Sequence, residues 1–232
     1  MFGRSDEEQV MKDFSAAAAG FFASTRAPAV ILSGTTLGAL FALGNFSKQA
    51  GRSLLELIIV KAYRLLTWTS FILSLNANII CTMVATKMLH QDFDPLAETP
   101  HALLKREFAL EFMNVQWSMT VSLLLFVAIV TIRLMLEMNL LTDPERRDTC
   151  IFVGLSAVAL SCHMLSYVNE SLNGWDHLGD LTVELFESVL HQAWYHPTIL
   201  RSISLLSAAC SVLYGIKSAV SPSRDKSKTK SE

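Results

Sequence analysis

The residues that could do chemistry in this 232-residue chain are few, and they lie inside or beside apolar stretches. Glu111, Asn114, Ser118 and Ser122 recur at intervals of three and four, so a helix through them carries all four on one face. Ser70, Ser74, Asn78, Cys81 and Thr82 make a second stripe of the same kind. A carboxylate at the mouth of such a path, with amide and hydroxyl oxygens behind it, attracts cations and then replaces part of their hydration shell. In that reading Glu111 is the mouth, and Asn78, Asn114 and Ser118 lie further along the path. The competing and favoured expectation is that the stripes hold helices together, at about 0.6 kcal/mol for an average interhelical hydrogen bond.

Two other groupings could carry chemistry. Gly154-Leu155-Ser156-Ala157 with His163 has the residue types of an intramembrane serine protease, but such an enzyme needs its histidine on another helix. His163 follows Ser156 by seven residues on the same helix, and helix packing is the expected role. His191 and His196 do not fall cleanly on one helical face, and a metal site needs more ligands, so solvated or interfacial histidines are expected. Cys81, Cys150, Cys162 and Cys210 lie in or at the edges of apolar stretches without metal-ligand or redox spacing. No catalytic, cofactor-binding or metal-ligating residue is assigned.

Long apolar helices must position these groups. The chain is 51% hydrophobic and 17% charged, against about 25% charged in soluble domains. Leu65 to Thr86 is free of charge over 22 residues, which as a helix is about 33 Å long and matches a hydrocarbon core of about 30 Å. Further spans are expected at about 112–132, 150–168 and 199–216. Arg26 and Pro28 introduce another uncharged stretch, Ala29 to Phe46, in which Gly34 and Gly38 have GxxxG spacing. It is expected as an interfacial helix, a re-entrant helix or a fifth span.

The expected fold is therefore an all-α integral membrane protein, a bundle of four transmembrane helices plus an N-terminal apolar helix. Residues 1–27 form an N-terminal segment, 28–220 the membrane domain and 221–232 a disordered tail of serine and lysine. The acidic connection 169–197 includes an amphipathic helix, with Leu181, Leu185, Val189 and Gln192 on one face. In the last span Ser204, Ala208, Ser211 and Gly215 make a small-residue seam suited to close helix contact.

Lysines and arginines before the first main span, between the second and third, and after the fourth outnumber those on the other side by 15 to four. By the positive-inside rule the segment before Leu65 and the C-terminus are cytosolic. Asn169-Glu170-Ser171 is then a glycosylation sequon on the exterior face, close to the membrane. Lys228 and Lys230, fifth and third from the end, resemble the cytosolic dilysine retrieval signal of endoplasmic reticulum membrane proteins. That membrane is the expected location, with the plasma or plastid membrane as the alternative. The first residues lack the pattern of a signal or transit peptide, and no cleaved leader is expected.

The approach Thr99-Pro100-His101 through Lys105-Arg106-Glu107-Phe108 resembles Orai-type calcium channels. That family's acidic pore residue has no counterpart between Ala29 and Phe46, and its long loop falls elsewhere, so no function is taken from the resemblance. A net charge of −2, with basic residues beside apolar spans, does not suit nucleic acid. The expected partners are the lipid bilayer and other membrane subunits or further copies of the chain. The expected role is a non-enzymatic scaffold or accessory subunit; a cation channel or transporter subunit and a lipid-modifying enzyme are the alternatives.

Overall fold

A computed structural model describes residues 11–42, 54–90, 93–138, 147–171, 177–195 and 199–220. Among them are seven helices: α1 (Ser15–Ala42), α2 (Leu54–Leu89), α3 (Pro100–Glu107), α4 (Ala109–Glu137), α5 (Arg147–Ser171), α6 (Leu178–Tyr195) and α7 (Ile199–Val220). Two short strands, β1 (Lys12–Asp13) and β2 (Leu96–Ala97), pair antiparallel. Four helices are long and apolar enough to cross a membrane: Ser15–Ala42, the Leu57–Leu89 part of α2, Ala109–Glu137 and the Arg147–Glu170 part of α5.

The core is made where α1, α2 and α4 meet. Small residues let the backbones approach there, since Ala18 and Ala29 of α1 and Ala77 and Cys81 of α2 are buried. Aromatic rings fill the space at one end: Phe22 lies 6.1 Å from Phe108, Phe93 lies 5.4 Å from Phe108, and Phe21 lies 5.0 Å from Phe112, centroid to centroid. At the other end Tyr63 and Ile129 pack together. Helix α5 lies at the periphery against α4, with Ile151, Phe152, Leu155 and Val158 exposed.

Helix α1 differs from the sequence reading, which breaks it at Arg26 and Pro28. It runs unbroken for 28 residues with Pro28 inside it. Proline removes one backbone donor and leaves the Ser24 carbonyl without its amide, a defect that long apolar helices tolerate where other helices pack against them. Ser24 and Thr25, in the turn before Pro28, both donate to the carbonyl of Phe21. At about 42 Å the helix is long enough to be a full span. At its start, Asp13 accepts the Ser15 amide at 2.8 Å, and contact with Ser15 holds the Asp13 carboxyl below its ordinary value.

The strand pair changes the placement of the N-terminus. Lys12 faces Ala97, Asp13 faces Leu96, and the Phe14 amide donates to the Pro95 carbonyl at 3.1 Å. The start of α1 therefore stands at the same end of the bundle as the α2–α3 loop. The charge count puts these two segments on opposite sides; the backbone pairing puts Lys12 and Asp13 together with the loop. Arg106 straps this end, donating to the carbonyls of Asp94 at 2.6 Å and Leu96 at 3.1 Å and to Glu107 Oε1 at 2.8 Å.

Helices α3 and α4 are separated by one residue. Thr99 caps α3, its Oγ1 accepting the Ala102 amide, and Pro100 occupies the first turn, where no donor is needed. Phe108 leaves helical geometry at φ −133° and ψ 31° while its ring is buried among Phe22 and Phe93. The joint is thus fixed by aromatic packing.

Candidate functional site

Of the polar residues named from the sequence, Ser70, Asn114, Ser118 and Ser122 meet at the contact between α2 and α4. Ser70 Oγ lies 3.1 Å from the Ser122 carbonyl and Ser122 Oγ lies 3.0 Å from the Ser70 carbonyl, the two hydroxyls being 3.0 Å apart. Both serines are fully buried. One turn and a half further along α2, Asn76 Nδ2 donates to Asn114 Oδ1 at 2.9 Å and to Ser118 Oγ at 3.3 Å. Ser118 Oγ in turn donates to Asn114 Oδ1 at 3.0 Å. Each clasp is made by small hydroxyls or short amides, which lets the helices approach closely.

Asn78, the amide chosen from sequence spacing, is not in the clasp. Residues two apart on a helix point about 200° apart, so Asn76 and Asn78 cannot both face α4. Asn78 Oδ1 is buried without a hydrogen-bond partner. Of the remaining stripe, Ser74 and Cys81 are buried and Thr82 is exposed, its hydroxyl donating to the Asn78 carbonyl.

Glu111 sits near the end of the seam, 3.7 Å from Lys87 Nζ. The Lys87 ammonium also lies 5.5 Å from the centre of the Phe108 ring. Both side chains of the pair remain well exposed, so the ion pair adds at most about 1 kcal/mol. The two residues border an open groove of about 400 Å³ lined also by Ile80, Met83, Val84 and His90. Glu111 thus meets a cation of its own chain at the place where the sequence suggested the mouth of a path.

The arrangement accounts chemically for the polar groups of the seam. Asn114 Oδ1 accepts two hydrogen bonds from neighbours, and the Ser70 and Ser122 hydroxyls are engaged with each other. A cation at these oxygens would have to break the bonds that join α2 to α4. Among the described residues, no group of three or more His, Cys, Asp or Glu side chains is placed to hold a metal ion.

The other sequence candidates lie apart. Ser156 and His163 are exposed on α5. Asn169 Oδ1 accepts the backbone amide of Leu178 at 3.1 Å, which ties the end of α5 to the start of α6. His191 stacks beside Tyr195 at 4.3 Å. His196, Lys228 and Lys230 lie outside the described residues.

Three contacts were not legible as a pattern. The Asn76 amide, the Lys87–Glu111 pair and the bond from Trp117 Nε1 to Thr182 Oγ1 at 2.9 Å each join residues at least 24 apart in the chain. The only signal available was residue type, an amide or an indole in a long apolar helix. Comparison with known proteins gives no match to a family model, a curated protein or a solved structure.

Proposed function

We propose that the protein is a multi-pass membrane subunit, a non-enzymatic scaffold or accessory component of a membrane complex. The observation that carries this reading is the seam between α2 and α4. Its amides and hydroxyls are spent on joining the two helices, as in a structural brace, and its outermost carboxylate is paired with Lys87. The outer side of α1 supports the same reading. A side chain added at Gly20, Gly34 or Gly38 would meet no atom within 4 Å, which leaves room for a neighbouring helix to approach closely.

In this reading α1, α2, α4 and α5 span the bilayer, and α7 supplies a further apolar helix. With Lys12 and the α2–α3 loop on one side, the end of α1, the start of α2, the end of α4 and the start of α5 share the other. That second side is still the richer in lysine and arginine, which supports a cytosolic C-terminus. The dilysine-like tail supports residence in the endoplasmic reticulum membrane. Replacing Lys228 and Lys230 by serine is expected to release the protein to later compartments, seen by imaging of a tagged full-length chain; unchanged location would remove the retrieval reading.

The subunit reading is tested by purification of the tagged chain from membranes in mild detergent, with the mass of the protein component measured and co-purifying chains identified. An assembly larger than one 25.7 kDa chain is expected. A 25.7 kDa monomer with no companion chain would count directly against it.

A further inference from the structure

The open groove where α2 meets the α2–α3 loop changes character along its length. Ile80, Met83 and Val84 line one end, within the uncharged stretch that closes at Thr86. Lys87, His90 and Glu111 line the other. Ile80 precedes Lys87 by seven residues, so the passage from apolar wall to charged rim takes about 10 Å along the helix axis. In a chain that crosses a bilayer, this puts the wall at the edge of the hydrocarbon and the rim at the level of the headgroups. A diacyl phospholipid has the same order of polarity along the same axis.

The rim selects among headgroups. Lys87 Nζ and Glu111 Oε1 are 3.7 Å apart, and their side chains are 53% and 33% exposed. So long and wetted a pair is weak, and a ligand that offers each charge an opposite one replaces it at little cost. One cation and one anion together match a zwitterion. A headgroup with net negative charge would be repelled by Glu111 as much as it is drawn to Lys87.

His90 adds a further constraint. Its Nδ1 lies 3.1 Å from the Thr86 carbonyl oxygen. A carbonyl only accepts, so Nδ1 carries the hydrogen, and Nε2 of the neutral ring is left as an acceptor. The rim therefore offers one strong donor, the Lys87 ammonium, and two acceptors, Glu111 and His90 Nε2. A phosphate suits the donor, and a primary ammonium with three N–H groups suits the acceptors. A trimethylammonium group has no N–H to give. The Phe108 ring, which could otherwise hold one, is 1% exposed and already lies under the Lys87 ammonium.

We infer, on the reading of the chain as a membrane protein, that this groove holds a phospholipid of the phosphatidylethanolamine class. Its phosphate lies on Lys87, its ammonium on Glu111 and His90, and an acyl chain against Ile80 and Met83. The Lys87–Glu111 pair opens as the headgroup enters, and each charge keeps a partner.

The test uses the full-length protein purified in mild detergent, with lipids that carry a fluorophore at the end of one acyl chain so that the headgroup is free. Ethanolamine, choline and glycerol headgroups are compared on identical chains. The unsubstituted protein is expected to bind the ethanolamine lipid several-fold more tightly than either of the others. Glu111→Gln should remove most of the advantage over the choline lipid. Lys87→Gln should weaken the ethanolamine and choline lipids alike, since both carry the phosphate. Neither side chain is buried, and an unfolding temperature close to that of the unsubstituted chain shows that each variant folds. Equal affinity of the unsubstituted protein for ethanolamine and choline lipids, tighter binding of the glycerol lipid, or a full ethanolamine preference in a folded Glu111→Gln variant would overturn the inference. A chain released from membranes by alkaline carbonate without detergent would remove the membrane reading and the site together. A chain that needs detergent and still does not discriminate loses the site alone.

Discussion

Phe108→Ala is expected to destabilise the bundle by about 3–5 kcal/mol, the usual cost of emptying a buried phenylalanine site. The ring is 1% exposed and fills the space between Phe22 and Phe93, beneath the Lys87 ammonium. It also fixes the joint at which α3 stops and α4 begins. Truncation therefore removes packing from α1, α2 and α4 together and loosens the end held by the β1–β2 pair. Thermal unfolding of the purified protein in mild detergent measures the effect, with Phe108→Leu, which keeps most of the apolar volume, expected to lose less. A loss below about 1 kcal/mol for Phe108→Ala would mean that the buried ring is not what holds the joint.

Asn114→Leu is the second large effect, about 1–3 kcal/mol, because it leaves the half-buried Asn76 amide without its nearer acceptor and the Ser118 hydroxyl without one. The loss should exceed that of an average membrane hydrogen bond, about 0.6 kcal/mol, since two donors depend on one oxygen. Replacing Asn76 by leucine as well removes the stranded donor, so the double variant should be less damaged than the sum of the single ones. Strict additivity in unfolding measurements would show that the two amides are not coupled.

The sequence disclosed the apolar helices because length and absence of charge are local properties. It disclosed Asn114, Ser118 and Ser122 on one face of α4 because three- and four-residue spacing is local too. Their partners on α2 depended on where two helices cross, which no single-helix pattern encodes. Hence spacing points to Asn78, whereas Asn76 is the residue that meets Asn114. The continuity of α1 was hidden for a similar reason. Proline is a local break signal, and the packing of α1 along α2 that carries the helix through Pro28 is not local. The charge count groups the N-terminus with the residues before Leu65, because charge asymmetry treats a segment by its composition, while two residues of strand pairing fix Lys12 beside Ala97.

The proposed function makes the α2–α4 seam a brace between two helices of a membrane subunit and not a path for cations. The most direct measurement is cation flux through liposomes that contain the purified full-length protein, compared with protein-free liposomes and with Asn114→Leu and Glu111→Gln variants. The expected result is no flux above the protein-free level from any of them, with Asn114→Leu changed in stability alone. A cation flux from the unsubstituted protein that falls in both variants, at equal protein incorporation, would contradict the account.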